Sequence, residues 1–304
     1  MAIRTNRQLT RREFGALAGA GALLHSTRAL AQAGMPILNR PLPGGAERIP
    51  AVGLGTAYVF DTNDEATRSR ADTVIRALLK DGGRLIDTAS TYGNAESVLG
   101  EVMATAGLRD RLFIATKLEA PDPQELKQSL ARLKAPSVDL LQLHNVSSKR
   151  QSLASFREWK QQGLCRYIGI TSTFHHDYPA VEAVLEREKP DFVQIGYSIE
   201  DRLAEKAILP LAGEIKAAVL TAEPYGNGRL FRAVRGKELP DWAREFANSW
   251  GQFFLKFLLA DPRVTAVIPR TSNPAHMTDN AGAMRGPLPD PEQRRRMIRF
   301  IDAL

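Results

Sequence analysis

Four ionisable side chains lie just after short apolar runs of the sequence, and together they can transfer a proton. Asp87, Lys117 and His144 each end a different run, and Tyr92 follows Asp87 in a turn. A phenol has a reference pKa of about 10 and keeps its proton at neutral pH. A neighbouring ammonium lowers the pKa of a phenol, and a carboxylate keeps that ammonium charged away from water. We therefore expect Tyr92 to be a general acid that Lys117 makes more acidic, with His144 donating a hydrogen bond to a substrate carbonyl.

The same four residues argue against other kinds of chemistry. They supply one carboxylate and one imidazole with no nearby thiol, so they predict neither a nucleophile nor a metal site. Protonation of a carbonyl oxygen needs a partner that delivers hydride to the carbon, and no side chain does this. The residues therefore imply a nicotinamide cofactor and a small-molecule carbonyl substrate.

The apolar runs that end in these residues belong to a regular series of eight. The series predicts strands at AVGLG (51–55), RLIDTA (84–89), LFIATK (112–117), VDLLQLH (138–144), YIGIT (167–171), FVQIGY (192–197), AVLTA (218–222) and AVIPR (266–270). Amphipathic helical patterns separate the runs, an opening hairpin precedes them, and DPEQRRRMIRFIDAL closes the chain as a helix. Continuously apolar strands suit a parallel sheet covered on both faces. The pattern predicts an α/β fold, a (β/α)8 TIM barrel over residues 32–304 with an N-terminal β-hairpin and a C-terminal helix.

The alternative of an open doubly wound sheet would need a glycine-rich phosphate fingerprint after its first strand, which GLGTAY does not supply. In a barrel, functional side chains gather at the carboxyl ends of the strands, and adjacent strands lie about 4.8 Å apart. Each of the four residues has an ordinary structural alternative, such as helix capping for Asp87 or surface packing for Tyr92. Their occurrence on consecutive strands favours a common site.

The ordered motifs GLGT, LIDTASTYGNAE, ATK and DLLQLHN resemble the aldo-keto reductase superfamily, from about Ile49 to Asn280. The family's catalytic tetrad is carried by the last three of these motifs. The resemblance implies that Asp87, Tyr92, Lys117 and His144 form that tetrad, and that the protein is a reductase that interconverts carbonyls and alcohols.

The resemblance also implies a set of cofactor contacts. A polar pair after the fifth strand would hold the nicotinamide amide, a glycine turn would wrap the pyrophosphate, and the loop after the eighth strand would bind the adenosine phosphate. The implied residues are Gly55, Thr56, Thr171, Ser172, Gln194, Tyr225, Gly226, Gly228, Arg270, Thr271, His276, Asp279 and Asn280. Ala222 departs from the family, because many members have an aromatic there that stacks on the nicotinamide.

The loop after the eighth strand favours NADP over NAD. Arg270 and Thr271 place a guanidinium next to a hydroxyl, a combination that suits a phosphate monoester better than a ribose diol. His276 stands where the family usually has arginine, which weakens the preference, so NAD stays possible.

Residues 1–31 resemble a twin-arginine export signal. Arg11 and Arg12 precede a mild apolar run from Phe14 to Leu24, and ALAQA offers cleavage after Ala31 or Ala33. The run is too short to span a membrane. We expect recognition by the twin-arginine export machinery, a periplasmic or secreted protein, and no stable membrane insertion after cleavage. The alternative is a disordered basic tail.

The charge of the chain gives no sign of a nucleic-acid partner once this segment is set apart. The whole chain has a formal net charge of +7, but residues 1–31 hold five arginines and one acid. The remainder therefore carries 36 basic and 33 acidic side chains, a net charge of +3. This balance is too small to predict nucleic-acid binding.

Two other functions stay open at this point. An exported nicotinamide-binding sensor or subunit with little turnover would keep the cofactor contacts without needing the proton donor. A barrel hydrolase or lyase would need a second carboxylate at the same mouth, for which Glu119, Glu200 and Asp201 qualify by position alone. Short loops after the first and fourth strands predict an open substrate site, with Tyr58, Phe60 and Phe231 as candidate lining residues.

Overall fold

Eight parallel strands and a preceding antiparallel hairpin make up the sheet structure. The computed structural model describes residues 34–304, and the predicted export signal lies outside them. The hairpin strands are β1 (Asn39–Pro41) and β2 (Arg48–Pro50). The parallel strands are β3 (Leu54–Gly55), β4 (Leu85–Asp87), β5 (Phe113–Leu118), β6 (Val138–Leu143), β7 (Cys165–Ser172), β8 (Phe192–Gly196), β9 (Ala218–Ala222) and β10 (Val264–Val267).

Each parallel strand pairs with the next along the chain, in the order β3 to β10. Backbone hydrogen bonds then join the first and last strands. The Gly53 N–H donates to the Val267 carbonyl at 2.9 Å, the Val267 N–H to the Ala51 carbonyl at 2.9 Å, and the Gly55 N–H to the Pro269 carbonyl at 3.0 Å. The sheet is thereby closed, and the predicted (β/α)8 barrel is confirmed.

Helices cover the outside of the barrel. In chain order they are α1 (Glu65–Lys80), α2 (Ala95–Ala106), α3 (Pro123–Arg132), α4 (Ala154–Gln161), α5 (Tyr178–Glu188), α6 (Ile208–Glu214), α7 (Arg229–Ala233), α8 (Trp250–Leu259), α9 (Pro274–Gly282) and α10 (Pro291–Asp302). Because the helices cover one face of the sheet and the barrel interior the other, all residues of β5 and β6 are buried. Within residues 34–304 no helix has the length and apolar character needed to cross a membrane.

The closing helix α10 begins where the sequence indicates a start signal. The Asp290 carboxylate accepts the backbone N–H of Gln293, and the Gln293 side chain bonds back to the Asp290 N–H at 2.9 Å, so the two residues form a capping box. The predicted C-terminal helix is confirmed.

The hairpin closes the amino-terminal end of the barrel. Leu42 and Ile49 are buried in one apolar cluster with the first residues of β4, β5, β8 and β9. Glu47, in the turn between β1 and β2, accepts hydrogen bonds from Arg84 at 2.7 Å and from Arg166. This end is therefore filled, and the site must lie at the opposite end, where the strands finish.

Candidate active site

Parallel pairing brings the three strand-end side chains to neighbouring positions. Asp87 is the last residue of β4, Lys117 lies near the end of β5, and His144 directly follows β6. Two backbone hydrogen bonds continue the pairing beyond the strands, from Ser90 N–H to the Lys117 carbonyl at 3.0 Å and from His144 N–H to the Leu118 carbonyl at 2.8 Å. The loops that carry the candidate residues are thus fixed to the barrel.

Lys117 and Asp87 form a buried ion pair. The Lys117 Nζ lies 2.7 Å from Asp87 Oδ2 and donates a second hydrogen bond of 2.7 Å to the Thr88 carbonyl. Both side chains are almost fully inaccessible, at 1% and 5% exposure. Burial alone would lower the pKa of Lys117, but Asp87 and Tyr92 raise it more, so the net shift is upward. Lys117 is therefore an ammonium at neutral pH.

Tyr92 packs between this ammonium and the imidazole of His144. The Lys117 Nζ is 4.9 Å from the centre of the Tyr92 ring, and the rings of Tyr92 and His144 meet edge to face with centres 5.8 Å apart. The four residues predicted to converge from three strands are thus brought together in one cluster.

The expected net acidification of Tyr92 is wrong. Burial raises the pKa of Tyr92 more than Lys117 lowers it, and Asp87 adds to the rise, so the pKa lies above its ordinary value of 10.0. The ammonium acts in the expected direction but is outweighed, because a buried phenolate loses its hydration. Tyr92 therefore holds its proton more tightly than a free tyrosine and yields it only where the phenolate is stabilised.

His144 has a partner that the strand pattern does not reveal. Its Nδ1 contacts Oε1 of Glu119, which lies just beyond β5. Burial and the charge of Lys117 lower the pKa of His144 from 6.5, and Glu119 opposes them without reversing the shift. The neutral imidazole is therefore the main form at pH 7.

A cavity of about 660 Å³ opens at the carboxyl ends of the strands. Its wall contains three of the four clustered side chains, while Lys117 lies behind them. The cavity is also lined by these residues predicted as cofactor contacts: Gly55, Thr56, Thr171, Gln194, Tyr225, Gly228 and Arg270. Ala222 lines it too, where many family members would have an aromatic ring. Of the three aromatic residues predicted to line the cavity, Tyr58 and Phe231 do so, whereas Phe60 is fully buried in the core.

A buried amide chain continues from the cavity wall into the barrel. Gln194 donates through Nε2 to Asp87 Oδ2 at 3.3 Å, and its Oε1 accepts from Gln142 Nε2 at 2.8 Å. Gln142 interrupts the apolar run of β6, a signal that sequence reasoning passed over. The Gln194 amide has two N–H groups, and the bond to Asp87 uses one of them, so the second can serve a ligand in the cavity.

Several predicted cofactor contacts lie away from the cavity and have protein partners. The Ser172 hydroxyl donates to Asp177 at 2.7 Å. Asp279 accepts from Ser249 at 2.6 Å and from Gln252 at 2.9 Å. The structure thus places these two side chains in contacts that hold the barrel's outer elements together.

The remaining predicted contacts, on α9 and just before it, also lie outside the cavity lining. Asn280 accepts a hydrogen bond of 2.5 Å from the Tyr225 hydroxyl. Thr271 is buried and accepts the Asn273 N–H at 3.0 Å, and His276 is exposed on the helix surface. A ligand that reaches these residues would therefore extend beyond the cavity described above.

The glycines of the predicted pyrophosphate turn also satisfy a backbone constraint within the protein itself. Gly226 and Gly228 adopt left-handed backbone angles, with φ of 55° and 84°. A Cβ atom on Gly226 would lie 1.7 Å from a carboxylate oxygen of Glu200, so this position needs glycine. The N–H groups of both glycines already donate to backbone carbonyls, of Glu223 and Tyr225.

Arg270 bridges the mouth of the cavity. Its guanidinium donates to Asn227 Oδ1 at 2.7 Å and stacks 4.9 Å from the centre of the Tyr58 ring. Tyr58 is 79% exposed, so this pair stands at the rim. Arg270 is therefore placed where it can meet an anionic group of a ligand that enters the cavity.

The cavity has the unsatisfied polar groups that a dinucleotide ligand would fit. The hydroxyl of Thr56 is buried and has no hydrogen-bond partner among residues 34–304. Thr171 lines the same wall, and Gln194 supplies an N–H beside it. The wall thus suits a planar amide at its inner end and an anion at the rim. In the described part of the chain, no group of three or more His, Cys, Asp or Glu residues is arranged to hold a metal ion.

Comparisons with known proteins agree with this geometry. A sequence model of the Aldo/keto reductase family matches residues 51–296. An aldo-keto reductase from Mycobacterium avium is 28% identical over 244 residues, covering 77% of this chain and 80% of the relative. The methylglyoxal reductase YeaE of Escherichia coli is 28% identical over 260 residues, covering 82% of this chain and 90% of the relative. The match to the family model spans the barrel strands and all four clustered residues.

A solved structure supports the same fold. The crystal structure of an aldo-keto reductase from Klebsiella pneumoniae in complex with NADPH superimposes with a TM-score of 0.73 at 23% identity. The superposition covers 88% of this chain and 96% of that one.

Proposed function

Because the chain belongs to the Aldo/keto reductase family, we propose that it interconverts a small-molecule carbonyl compound and the corresponding alcohol, with NADP as the cofactor. The observation that carries the proposal is the buried Lys117–Asp87 pair beside Tyr92 and His144, at the wall of a cavity with unsatisfied polar groups. The NADPH-bound structural relative supports the cofactor assignment.

Each of the four clustered residues has a separate role in the proposed reaction. In the reductive direction Tyr92 gives its proton to the carbonyl oxygen, and the ammonium of Lys117 stabilises the phenolate that remains. Asp87 keeps Lys117 charged, and His144 contacts the same oxygen. A bound nicotinamide would supply hydride to the carbonyl carbon. In the oxidative direction the Tyr92 phenolate takes the proton back.

The direct test follows absorbance of NADPH with purified protein and a panel of neutral aldehydes and ketones. Consumption of NADPH that depends on the carbonyl compound, with alcohol formed in equal amount, is the expected result. Tight nucleotide binding without turnover across the panel would contradict the enzymatic proposal and favour the sensor or subunit function.

Replacement of Arg270 tests the preference for NADP. We expect Arg270→Met to raise KM for NADPH about tenfold or more and to leave KM for NADH nearly unchanged, because charge-assisted hydrogen bonds to a phosphate contribute about 1.5–3 kcal/mol. The measurement is steady-state kinetics with both cofactors. Arg229→Met is the matched control, since Arg229 is paired with Glu200 at 2.8 Å outside the cavity lining. Equal losses with NADPH and NADH would refute the assignment.

We also propose that residues 1–31 direct export, which makes the mature protein periplasmic or secreted. The order of the Arg11–Arg12 pair, the apolar run and the small residues before Ala31 supports this. Replacing both arginines by lysine is expected to retain the full-length chain in the cytoplasm, as measured by fractionation and immunoblotting. An unchanged distribution of the double variant would rule out the twin-arginine route.

A further inference from the structure

The contact between Glu119 and His144 constrains the proton positions of the imidazole. Oε1 of Glu119 contacts the His144 Nδ1, and the Thr91 hydroxyl also donates to Oε1, at 3.4 Å. The Glu119 side chain is 42% exposed, whereas the His144 side chain is only 11% exposed. A carboxylate can only accept hydrogen bonds, whereas an imidazole nitrogen that carries hydrogen donates one. The proton of this contact therefore belongs to the imidazole Nδ1.

The other ring nitrogen remains for a ligand. In the part of the chain that the structure describes, Nε2 of His144 has no hydrogen-bond partner, and the residue lines the cavity. A neutral imidazole carries one N–H, so a ring with its proton on Nδ1 has a bare acceptor at Nε2. Only the imidazolium has an N–H on both nitrogens.

We propose that Glu119 is a positioning residue that fixes the tautomer of His144, so that this ring accepts a hydrogen bond from an alcohol when neutral and donates one to a carbonyl only when protonated. The role in turnover rests on the proposed function, whereas the tautomer does not. His144 transfers no proton itself, because Tyr92 remains the donor. The protonation state of His144 determines whether an alcohol or a carbonyl oxygen is bound beside it.

The surroundings of His144 determine which state prevails. Asp87 faces it from the end of β4, and Tyr92 faces it from the turn that follows. Lys117 faces it from β5, and Glu119 from the loop after β5. Burial and Lys117 lower the pKa of His144 below 6.5, while Glu119 and Asp87 raise it. At pH 7 and above the ring is mainly neutral and suited to the alcohol, and acidification converts it to the form suited to the carbonyl.

The tautomer is measured without cofactor or substrate. Nitrogen-15 NMR of the imidazole nitrogens, with His144→Asn to assign the signal, reports which nitrogen carries the proton. We expect an Nδ1–H tautomer in the unmodified protein, and an Nε2–H population in Glu119→Gln, because an amide N–H can donate to Nδ1. An Nε2–H tautomer in the unmodified protein would overturn the proposal whatever the variant does.

The pH profile supplies a second, functional test. Carbonyl reduction by the unmodified protein is expected to lose about tenfold in kcat/KM per pH unit above the pKa of His144, while alcohol oxidation does not show this loss. Glu119→Gln is expected to reduce carbonyls without this decline. An identical decline in the variant would overturn the proposal.

Asp61→Asn is the matched control, since Asp61 lines the same cavity without contacting His144. It replaces a carboxyl group by an amide, as Glu119→Gln does, and is expected to leave the Nδ1–H tautomer in place. A tautomer change in Asp61→Asn equal to that in Glu119→Gln would count against the specific contact. An Nδ1–H tautomer in a protein without reductase activity would refute the proposed function and leave the positioning role intact.

Discussion

Tyr92→Phe is expected to lower kcat for carbonyl reduction by a factor on the order of 10²–10⁴, the usual contribution of a positioned general acid. Phenylalanine keeps the ring that packs between Lys117 and His144 but has no proton to give. Because the pKa of Tyr92 is raised, the unmodified enzyme holds this proton throughout the neutral range. Single-turnover and steady-state assays with NADPH measure the loss.

The control for this variant lies at the opposite end of the barrel. Tyr167 carries a hydroxyl that bonds to Glu47 at 3.2 Å, far from the cavity lining. Tyr167→Phe is expected to retain reductase activity, and Tyr92→Phe to retain affinity for NADPH. Undiminished reduction of aldehydes by Tyr92→Phe would show that the proton comes from elsewhere.

Lys117→Met is expected to abolish turnover and to reduce the free energy of unfolding by about 3–5 kcal/mol. The variant leaves the Asp87 carboxylate buried without its counter-charge, and breaking a buried pair on one side costs about this much. Activity is lost because the Tyr92 phenolate has no ammonium beside it. Urea unfolding followed by circular dichroism measures the stability.

The double variant Asp87→Asn with Lys117→Met separates the two effects. Removing both charges eliminates the unpaired carboxylate, so the double variant is expected to regain stability relative to Lys117→Met. It is expected to stay inactive, since the proton donor still has no cationic neighbour. If the double variant is no more stable than Lys117→Met, the loss of stability comes from altered packing at position 117 and not from the unpaired charge of Asp87.

The barrel was predictable because its strands are continuous apolar runs of regular spacing. The predicted run 192–197 is Phe192–Gly196 in the structure, and the run 218–222 is Ala218–Ala222. The least accurate bounds are at the seam: the runs 51–55 and 266–270 correspond to Leu54–Gly55 and Val264–Val267. There the first and last strands pair through isolated bridges, and β10 shifts its register against β9. Both features depend on ring closure and leave no periodic signal.

The tetrad was predictable because each of its residues follows an apolar run, whereas its electrostatics were not. The rise in the pKa of Tyr92 depends on how deeply the ring is buried. The contact between Glu119 and His144 joins residues 25 positions apart through the shape of a loop. Neither property has a pattern in the sequence.

The contact made at the glycine turn was also not predictable from the sequence. The sequence predicted Gly226 as a place where backbone meets phosphate, and glycine there is indeed needed for close approach. The approaching group in the structure is the carboxylate of Glu200. The residue type predicts that the backbone at position 226 needs glycine. Only the folded structure shows that Glu200 is the neighbour that requires it.

The filled hairpin end of the barrel restricts the approach to the proton donor. Because Leu42 and Ile49 occupy that end, every molecule that reaches Tyr92 must arrive and depart through the rim near Tyr58. A dinucleotide that reached from Gln194 to the rim would lie along this passage, and a carbonyl compound would share the passage with it. The nucleotide, the carbonyl compound and the alcohol would therefore exchange through the same opening, so that a ligand held at the rim would slow the exchange of the others.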